Sequence, residues 1–404
     1  MTEWSGAVLH FEECSGPPLG WLIVNDVRDD ASLISTLLDD VDVTALLQPV
    51  ELAGLTLRNR FVMAPMTRLK SPGGIPTDEV AAYYARRASS LGLMVTEGTF
   101  VDEPGASFST RAPRFYGEDA FEGWQKVVDA VHAEGGLIAP QVWHTGSTRI
   151  ANRGHHPEAP VVSPSGINAD GETVGEPADA ATIERVVTAF AKAALDAQRR
   201  GFDAVEIHGA HGYLLDEFHW TQTNKRTDSY GGSMANRVRL SAEVVAAMRD
   251  AVGPDFPIIF RYSQWKGIYY NATMVDTPAE LEEFLVPLAD AGVSMFHVST
   301  RRYWLPAFEG ADTTLAGWTK KITGRPVIGL GSVGVGAPYL EEGAVKAEPT
   351  LSLKRLLELV ETGEFDLVGL GRAILADPDF VRKLEAGIPE LIEGYVKNRE
   401  LELR

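Results

Sequence analysis

The sequence predicts one (β/α)8 TIM barrel, and three observations carry that prediction. From Thr44 onward, eight short apolar runs of the kind that strands buried on both faces show alternate with amphipathic helical stretches. Such alternation builds a parallel sheet, and eight repeats of it close a barrel. The runs end on polar residues or glycine, among them Thr67, Gly98, Gln141, His208 and Arg261, which would converge on one mouth of that barrel. Finally, three long connections, Thr99–Glu118, Thr145–Ala178 and Gly209–Ala235, follow the carboxyl ends of strands two, three and four. Barrel enzymes build their active sites there, and loops of this length usually have functional reasons. A doubly wound sheet with a second domain is the alternative. It usually carries a glycine-rich fingerprint after its first strand, where this chain reads Ala64-Pro65-Met66-Thr67.

In order, residues 49–57 read as a short hairpin turning near Ala53-Gly54. The predicted barrel strands are Phe61–Met66, Leu93–Glu97, Leu137–Trp143, Ala204–His208, Ile258–Tyr262, Met295–Ser299, Pro326–Leu330 and Leu367–Leu370. The predicted helices between and after them are Asp78–Ser89, Phe121–Ala133, Ala180–Arg199, Ser233–Ala251, Pro278–Ala291, Leu351–Glu361 and Pro378–Ala386. Thr77 before Asp78-Glu79, and Thr277 before Pro278, are N-cap signals. Arg199-Arg200-Gly201 is a basic last turn followed by glycine, as a helix end should be.

The chain has 404 residues, is 45% hydrophobic and 23% charged, and has a net charge of −19. That balance supports a substantial core and argues against nucleic acid or an anionic membrane as partner. Its one cysteine, Cys14, excludes an intrachain disulfide and a multi-cysteine metal site. No apolar run is long enough to span a bilayer and the N-terminus carries no signal-peptide pattern, so a cytoplasmic protein is expected. Residues 1–44 hold nine acidic residues against one base yet keep apolar stretches. They are expected to form an acidic appendage or partner-binding arm ahead of a barrel domain spanning 45–404.

The segment Gly201–Phe218, GFDAVEIHGAHGYLLDEF, is the chemical centre of the chain. A short strand breaks at His208, and His208, His211 and Tyr213 follow within six residues. Two imidazoles and a phenol at a strand end can grip an oxygen and deliver a proton. They can also be half a metal site or simply structural histidines, and no matching cysteine or acidic cluster supplies further metal ligands. Arg261 closes an apolar run with no carboxylate nearby in sequence, which leaves either a loop acid or an anionic ligand to balance it. Gly329-Leu-Gly331-Ser332 and Gly369-Leu-Gly371-Arg372 close the last two strands, where barrels commonly hold a phosphate; plain tight turns are the other reading.

Seven motifs, in order, make the chain resemble the old yellow enzymes, flavin-dependent ene-reductases, over about residues 44–390. They are LRNRFVMAPMTR (57–68), TEGTF (96–100), QVWHTG (141–146), Gly201–Phe218, NKRTDSYGGS (224–233), FRYS (260–263) and GRAILADPDF (371–380). The resemblance implies a barrel that holds FMN non-covalently and takes hydride from NADPH or NADH. It then reduces the C=C bond of an enone, enal or nitroalkene, as a monomer or homodimer. In that family Ala64, Pro65, Met66 and Thr67 match the segment along the flavin, with Thr67 at O4. Gly98 approaches the ring, Gln141 faces the pyrimidine edge and Arg261 sits near N1 and O2, while Gly331, Ser332, Gly371 and Arg372 match the phosphate site. His208 and His211 match the pair that binds the substrate oxygen, and Tyr213 matches the proton donor. Trp143 and Phe108 match positions of the substrate pocket, Phe108 where relatives often place Tyr. Ser147 stands where the family usually has Arg, and Ala235 replaces an acid. Two other readings compete with the ene-reductase: a catalytically silent flavin-binding sensor or partner protein, and a non-flavin phosphate-binding barrel lyase. The lyase would want a lysine at a strand end, and none of the predicted strands closes on one.

Overall fold

The computed structural model of the chain describes residues 42–267, 269–334, 353–393, 395 and 403. The acidic segment predicted ahead of the barrel, Cys14 included, lies outside the described residues up to residue 41. The first element is a hairpin, β1 (Val50–Leu52) paired antiparallel with β2 (Leu55–Leu57). Ala53 and Gly54 both have positive φ, at 50° and 81°, the geometry of the two-residue turn that matches strand twist.

Eight parallel strands then close a barrel: β3 (Phe61–Met63), β4 (Leu93–Phe100), β5 (Ile138–Trp143), β6 (Val205–His208), β7 (Ile258–Ser263), β8 (Met295–Ser299), β9 (Val327–Leu330) and β10 (Leu367–Leu370). β10 pairs back onto β3, so the barrel has no free edge. β3 is shorter than its apolar run. Ala64 N–H still reaches Leu370 O at 2.9 Å, but Pro65 has no N–H to continue the ladder. β4 runs further than predicted, to Phe100, across a register shift between Val95 and Gly98. The predicted helix over 233–251 is two helices, Met234–Arg237 and Arg239–Val252. Thr77, Asp179, Thr277 and Thr314 cap their helices through side-chain oxygens, and Gly201 takes φ +81° just past the helix Ala180–Arg199.

Alternation along each strand separates two environments. Outward residues such as Val205, Ile207, Phe260, Tyr262, Phe296 and Val298 pack among the buried apolar residues of the surrounding helices. Inward residues at the amino ends of the strands, including Val62, Leu93, Ala139, Ala204, Ile259, Met295, Ile328 and Leu367, form a second apolar cluster with Leu55 and Leu57 of the hairpin. The hairpin therefore plugs the floor of the barrel. Two residues further along β6, β7 and β8 the inward positions become Glu206, Arg261 and His297, all buried, and two further still His208, Ser263 and Ser299. Because side chains alternate with period two, this apolar-to-polar gradient aims the chemistry at the carboxyl-end mouth. Among the described residues no helix is long and apolar enough to cross a membrane.

Candidate active site

Strand register brings the polar residues into one row. Gln141 is opposite Glu206, His208 opposite Arg261, and Arg261 opposite His297. Glu206 is fully buried and is the hub of that row: it accepts from Gln141 Nε2 at 2.8 Å and pairs with His297 Nδ1 at 2.7 Å. It also supplies the negative charge near Arg261 that no sequence neighbour offered. Burial lowers the Arg261 guanidinium to about 10 and Glu206 partly offsets that loss. Arg261 Nε and His297 Nε2 remain buried without a hydrogen-bond partner, each a costly state that an incoming polar ligand would relieve.

His208, His211 and Tyr213 do converge. The His208 ring lies 5.2 Å from His211 and 4.9 Å from Tyr213, both edge-on, and stacks on Trp143 at 5.8 Å. Tyr213 meets the Trp143 ring edge-on at 4.7 Å. Burial, reinforced by the Arg261 charge, pushes both imidazoles well below the usual histidine range, so both are neutral at pH 7. His208 Nδ1 accepts the Ala210 N–H at 3.4 Å, which leaves the ring proton on Nε2 as a donor. His211 Nε2 is 2.9 Å from Ser299 Oγ. Burial pushes the Tyr213 phenol up to about 12.

The turn carrying these groups is clamped from beneath. His211 has φ +63°, a left-handed conformation uncommon outside glycine, though histidine tolerates it better than most residues. Its backbone N–H donates to Ser263 Oγ at 3.1 Å, and the Gly212 N–H to Asp216 Oδ2 at 2.8 Å. Asp216 Oδ1 in turn pairs with Lys266 Nζ at 2.6 Å, with both side chains buried, and Lys266 also donates to Ser263 O at 3.0 Å. This pairing ties Lys266 down.

Thr67 stands exposed at the mouth, just past β3. The next two N–H groups, of Arg68 and Leu69, both donate to Glu97 Oε2, at 2.7 and 3.2 Å. Glu97 is buried, which raises its carboxyl to about 7. Gly98 admits no side chain, since a Cβ there would lie 2.4 Å from the Trp143 ring. Among the described residues a Cβ on Gly371 would instead meet only Met66 Sδ, at 3.9 Å, which leaves space between the two segments expected to flank a phosphate and a ring. Gly331 is enclosed by Thr300 and Tyr303, Ser332 Oγ donates to Arg301 O at 2.8 Å, and the Arg372 guanidinium lies 5.6 Å from the Tyr395 ring centre. Phe108 packs edge-on against Trp143 at 5.6 Å, and Trp143 stacks on Phe100 at 5.2 Å, forming an aromatic wall beside His208.

Reasoning from sequence missed Glu206, His297, Glu97, the Asp216–Lys266 pair and Glu217. For Glu206 a signal existed: a carboxylate at an inward position of an otherwise apolar strand, two residues before His208. Ser147, one of the departures noted above, donates its N–H and hydroxyl to Glu217 Oε1 at 2.7 and 2.5 Å. Among the described residues no group of three or more His, Cys, Asp or Glu side chains is arranged to hold a metal ion.

The NADH:flavin oxidoreductase / NADH oxidase family matches over residues 45–390. The rice (Oryza sativa subsp. japonica) protein 12-oxophytodienoate reductase 7 is 32% identical over 369 residues, which cover 86% of this chain and 90% of that one. Morphinone reductase has a similar structure, with a TM-score of 0.73 at 28% identity over 88% of this chain and 92% of that one. Its complex with tetrahydroNAD aligns with a TM-score of 0.72 at 26% identity over 89% and 97% of the two chains.

Proposed function

The chain belongs to the NADH:flavin oxidoreductase / NADH oxidase family, the old yellow enzymes, and on that basis we propose that it reduces the C=C bond of α,β-unsaturated carbonyl or nitro compounds with Tyr213 as proton donor. It is an FMN-dependent oxidoreductase with NADPH or NADH as hydride donor. The observation that carries the finer reading is the convergence of His208, His211 and Tyr213, the latter two rings 5.2 and 4.9 Å from His208, at the mouth of a barrel whose adjacent row holds Arg261 with its Nε unpartnered.

The residues present fit FMN. Arg261 Nε is a buried cationic donor lacking a partner, Gly98 lets the Trp143 ring lie against the strand backbone, and among the described residues the space beside Gly371 is open. In this reading Ala64 to Thr67, Gly98, Gln141 and Arg261 hold the ring, and Gly331, Ser332, Gly371 and Arg372 hold the phosphate. Bound there, the flavin supplies the hydride that goes to the substrate's β-carbon. The protein's own contribution begins with the substrate oxygen. His208 and His211, both neutral, donate hydrogen bonds to it and stabilise the negative charge that develops as the double bond is reduced. Preformed donors in a buried site need no reorganisation at that moment. Tyr213 then gives its proton to the α-carbon. A phenol held near 12 keeps its proton throughout the physiological range yet is acidic enough to protonate a carbanion-like centre. Trp143 and Phe108 form the wall against which the substrate lies.

The test separates the half-reactions. Purified protein should bind FMN on reconstitution, and a phenol should perturb its visible spectrum by occupying the oxygen site of the histidine pair. Tyr213→Phe should leave flavin reduction by the nicotinamide intact and slow reoxidation by cyclohexenone about 10²-fold or more. Equal loss in both half-reactions refutes the donor role, and a chain that binds no FMN refutes the whole reading.

A further inference from the structure

Beyond the groups expected to touch flavin or substrate, the buried row of the barrel contains one residue that acts on two of them. Glu206 is completely buried, and both of its carboxylate oxygens are used: Oε1 takes the Gln141 Nε2–H at 2.8 Å and Oε2 meets His297 Nδ1 at 2.7 Å. A carboxylate only accepts hydrogen bonds, so the Gln141 amide has no choice of orientation: its NH2 group must face Glu206 and its carbonyl oxygen must face away. Without that partner an amide can turn over, because its two ends have nearly the same shape. The same carboxylate acts electrostatically on Arg261, whose Nε is buried and unpartnered. One side chain thus fixes an acceptor and attenuates a cation.

We propose that Glu206 is a positioning residue for the flavin: it presents the Gln141 carbonyl to a ring N–H and offsets part of the Arg261 charge, so it sets both the affinity and the reduction potential of bound FMN. The inference rests on the flavin reading above, in which Gln141 and Arg261 lie along the ring. Orientation and charge are separable contributions. A turned-over Gln141 amide would present its NH2 to the ring N–H and forfeit that hydrogen bond, a loss of roughly tenfold in affinity. Removing a negative charge next to Arg261 favours the anionic reduced flavin. A tenfold gain for the reduced over the oxidised form corresponds to about +30 mV for a two-electron couple.

The experiment compares wild type, E206Q and E206D as full chains reconstituted with FMN. Affinity is read from flavin fluorescence quenching and the midpoint potential from dye-equilibrated reduction. E206Q should bind FMN about tenfold more weakly and raise the potential by about 30 mV. E206D keeps the charge but shortens the reach, so it should weaken FMN binding about tenfold with the potential unchanged. A potential that is unchanged or lowered in E206Q overturns the charge role, even if binding weakens, because a purely structural residue would do that. If E206Q does not fold, E206D still decides the orientation role: wild-type affinity in that variant overturns it. Wild-type protein that binds no FMN refutes the flavin reading itself, whereas wild-type binding with E206Q indistinguishable from it refutes only the role of Glu206.

Discussion

Glu217 offers a prediction whose size follows from its surroundings. Its side chain is 1% exposed, its Oε1 takes two hydrogen bonds from Ser147, and its Oε2 has no partner and crowds Gly146, which has no room for a Cβ there. Burial dominates, with neighbouring Asp216 adding to it, and the carboxyl rises from 4.5 to about 8. The folded protein thus holds this proton more tightly than the unfolded chain does. The sign follows: the contribution is fully favourable below about pH 4.5, declines as pH rises towards 8, and levels off above that. At ~1.4 kcal/mol per pH unit the ceiling is about 5 kcal/mol, and water entry and local relaxation bring the expected value to roughly 2 kcal/mol. Glu217→Gln keeps an acceptor for Ser147 and removes the titration. Between about pH 5 and pH 8.5 the variant should therefore gain ~2 kcal/mol, or about 2 °C in Tm, relative to wild type. Thermal unfolding of both proteins across that range is the assay. Parallel Tm–pH curves would mean that Glu217 is ionised throughout, and the burial argument would be wrong.

Two further perturbations address the clamp and the flavin face. Lys266→Met strands buried Asp216 without its counter-ion, which should cost about 3–5 kcal/mol of stability, whereas D216N/K266M should recover most of it; urea titration that finds the single variant as stable as wild type rules the clamp out. Because Gly212 hangs on Asp216, the same lesion should slow enone reduction more than nicotinamide oxidation in stopped-flow traces. Gly98→Ala must push Trp143 aside, since the added carbon would lie 2.4 Å from its ring. FMN affinity should fall at least about tenfold at an overpacking cost of ~1–3 kcal/mol, and unchanged affinity would show that the glycine is dispensable.

Much of the architecture was legible because periodicity is local. Apolar runs such as Met295–Ser299 and Leu367–Leu370 end in the structure where the sequence ends them, and helix caps at Thr77 and Thr277 form as their side chains dictate. His208, His211 and Tyr213 were legible for the same reason, being neighbours in the chain just past a strand end. Where the sequence misled, a long-range partner decided the outcome. Whether β4 stops at Glu97 depends on β5, whose register shift carries the pairing on to Phe100. Arg261 lacked a visible counter-charge because Glu206 is fifty-five positions away in sequence but on the adjacent strand.

By itself, then, the sequence determined the alternation of strands and helices, the barrel they close and the cluster of two imidazoles and a phenol at one strand end. Each of these follows from side-chain period, capping chemistry and chain adjacency. Only the tertiary structure decided which buried charges meet. Gln141, Glu206, His297 and Arg261 come from four strands, and it is barrel closure and register that set them in one row. The protonation behaviour of Glu97, Glu217, His208 and His211 was likewise decided there, because desolvation depends on everything packed around a group and no stretch of chain carries that information alone.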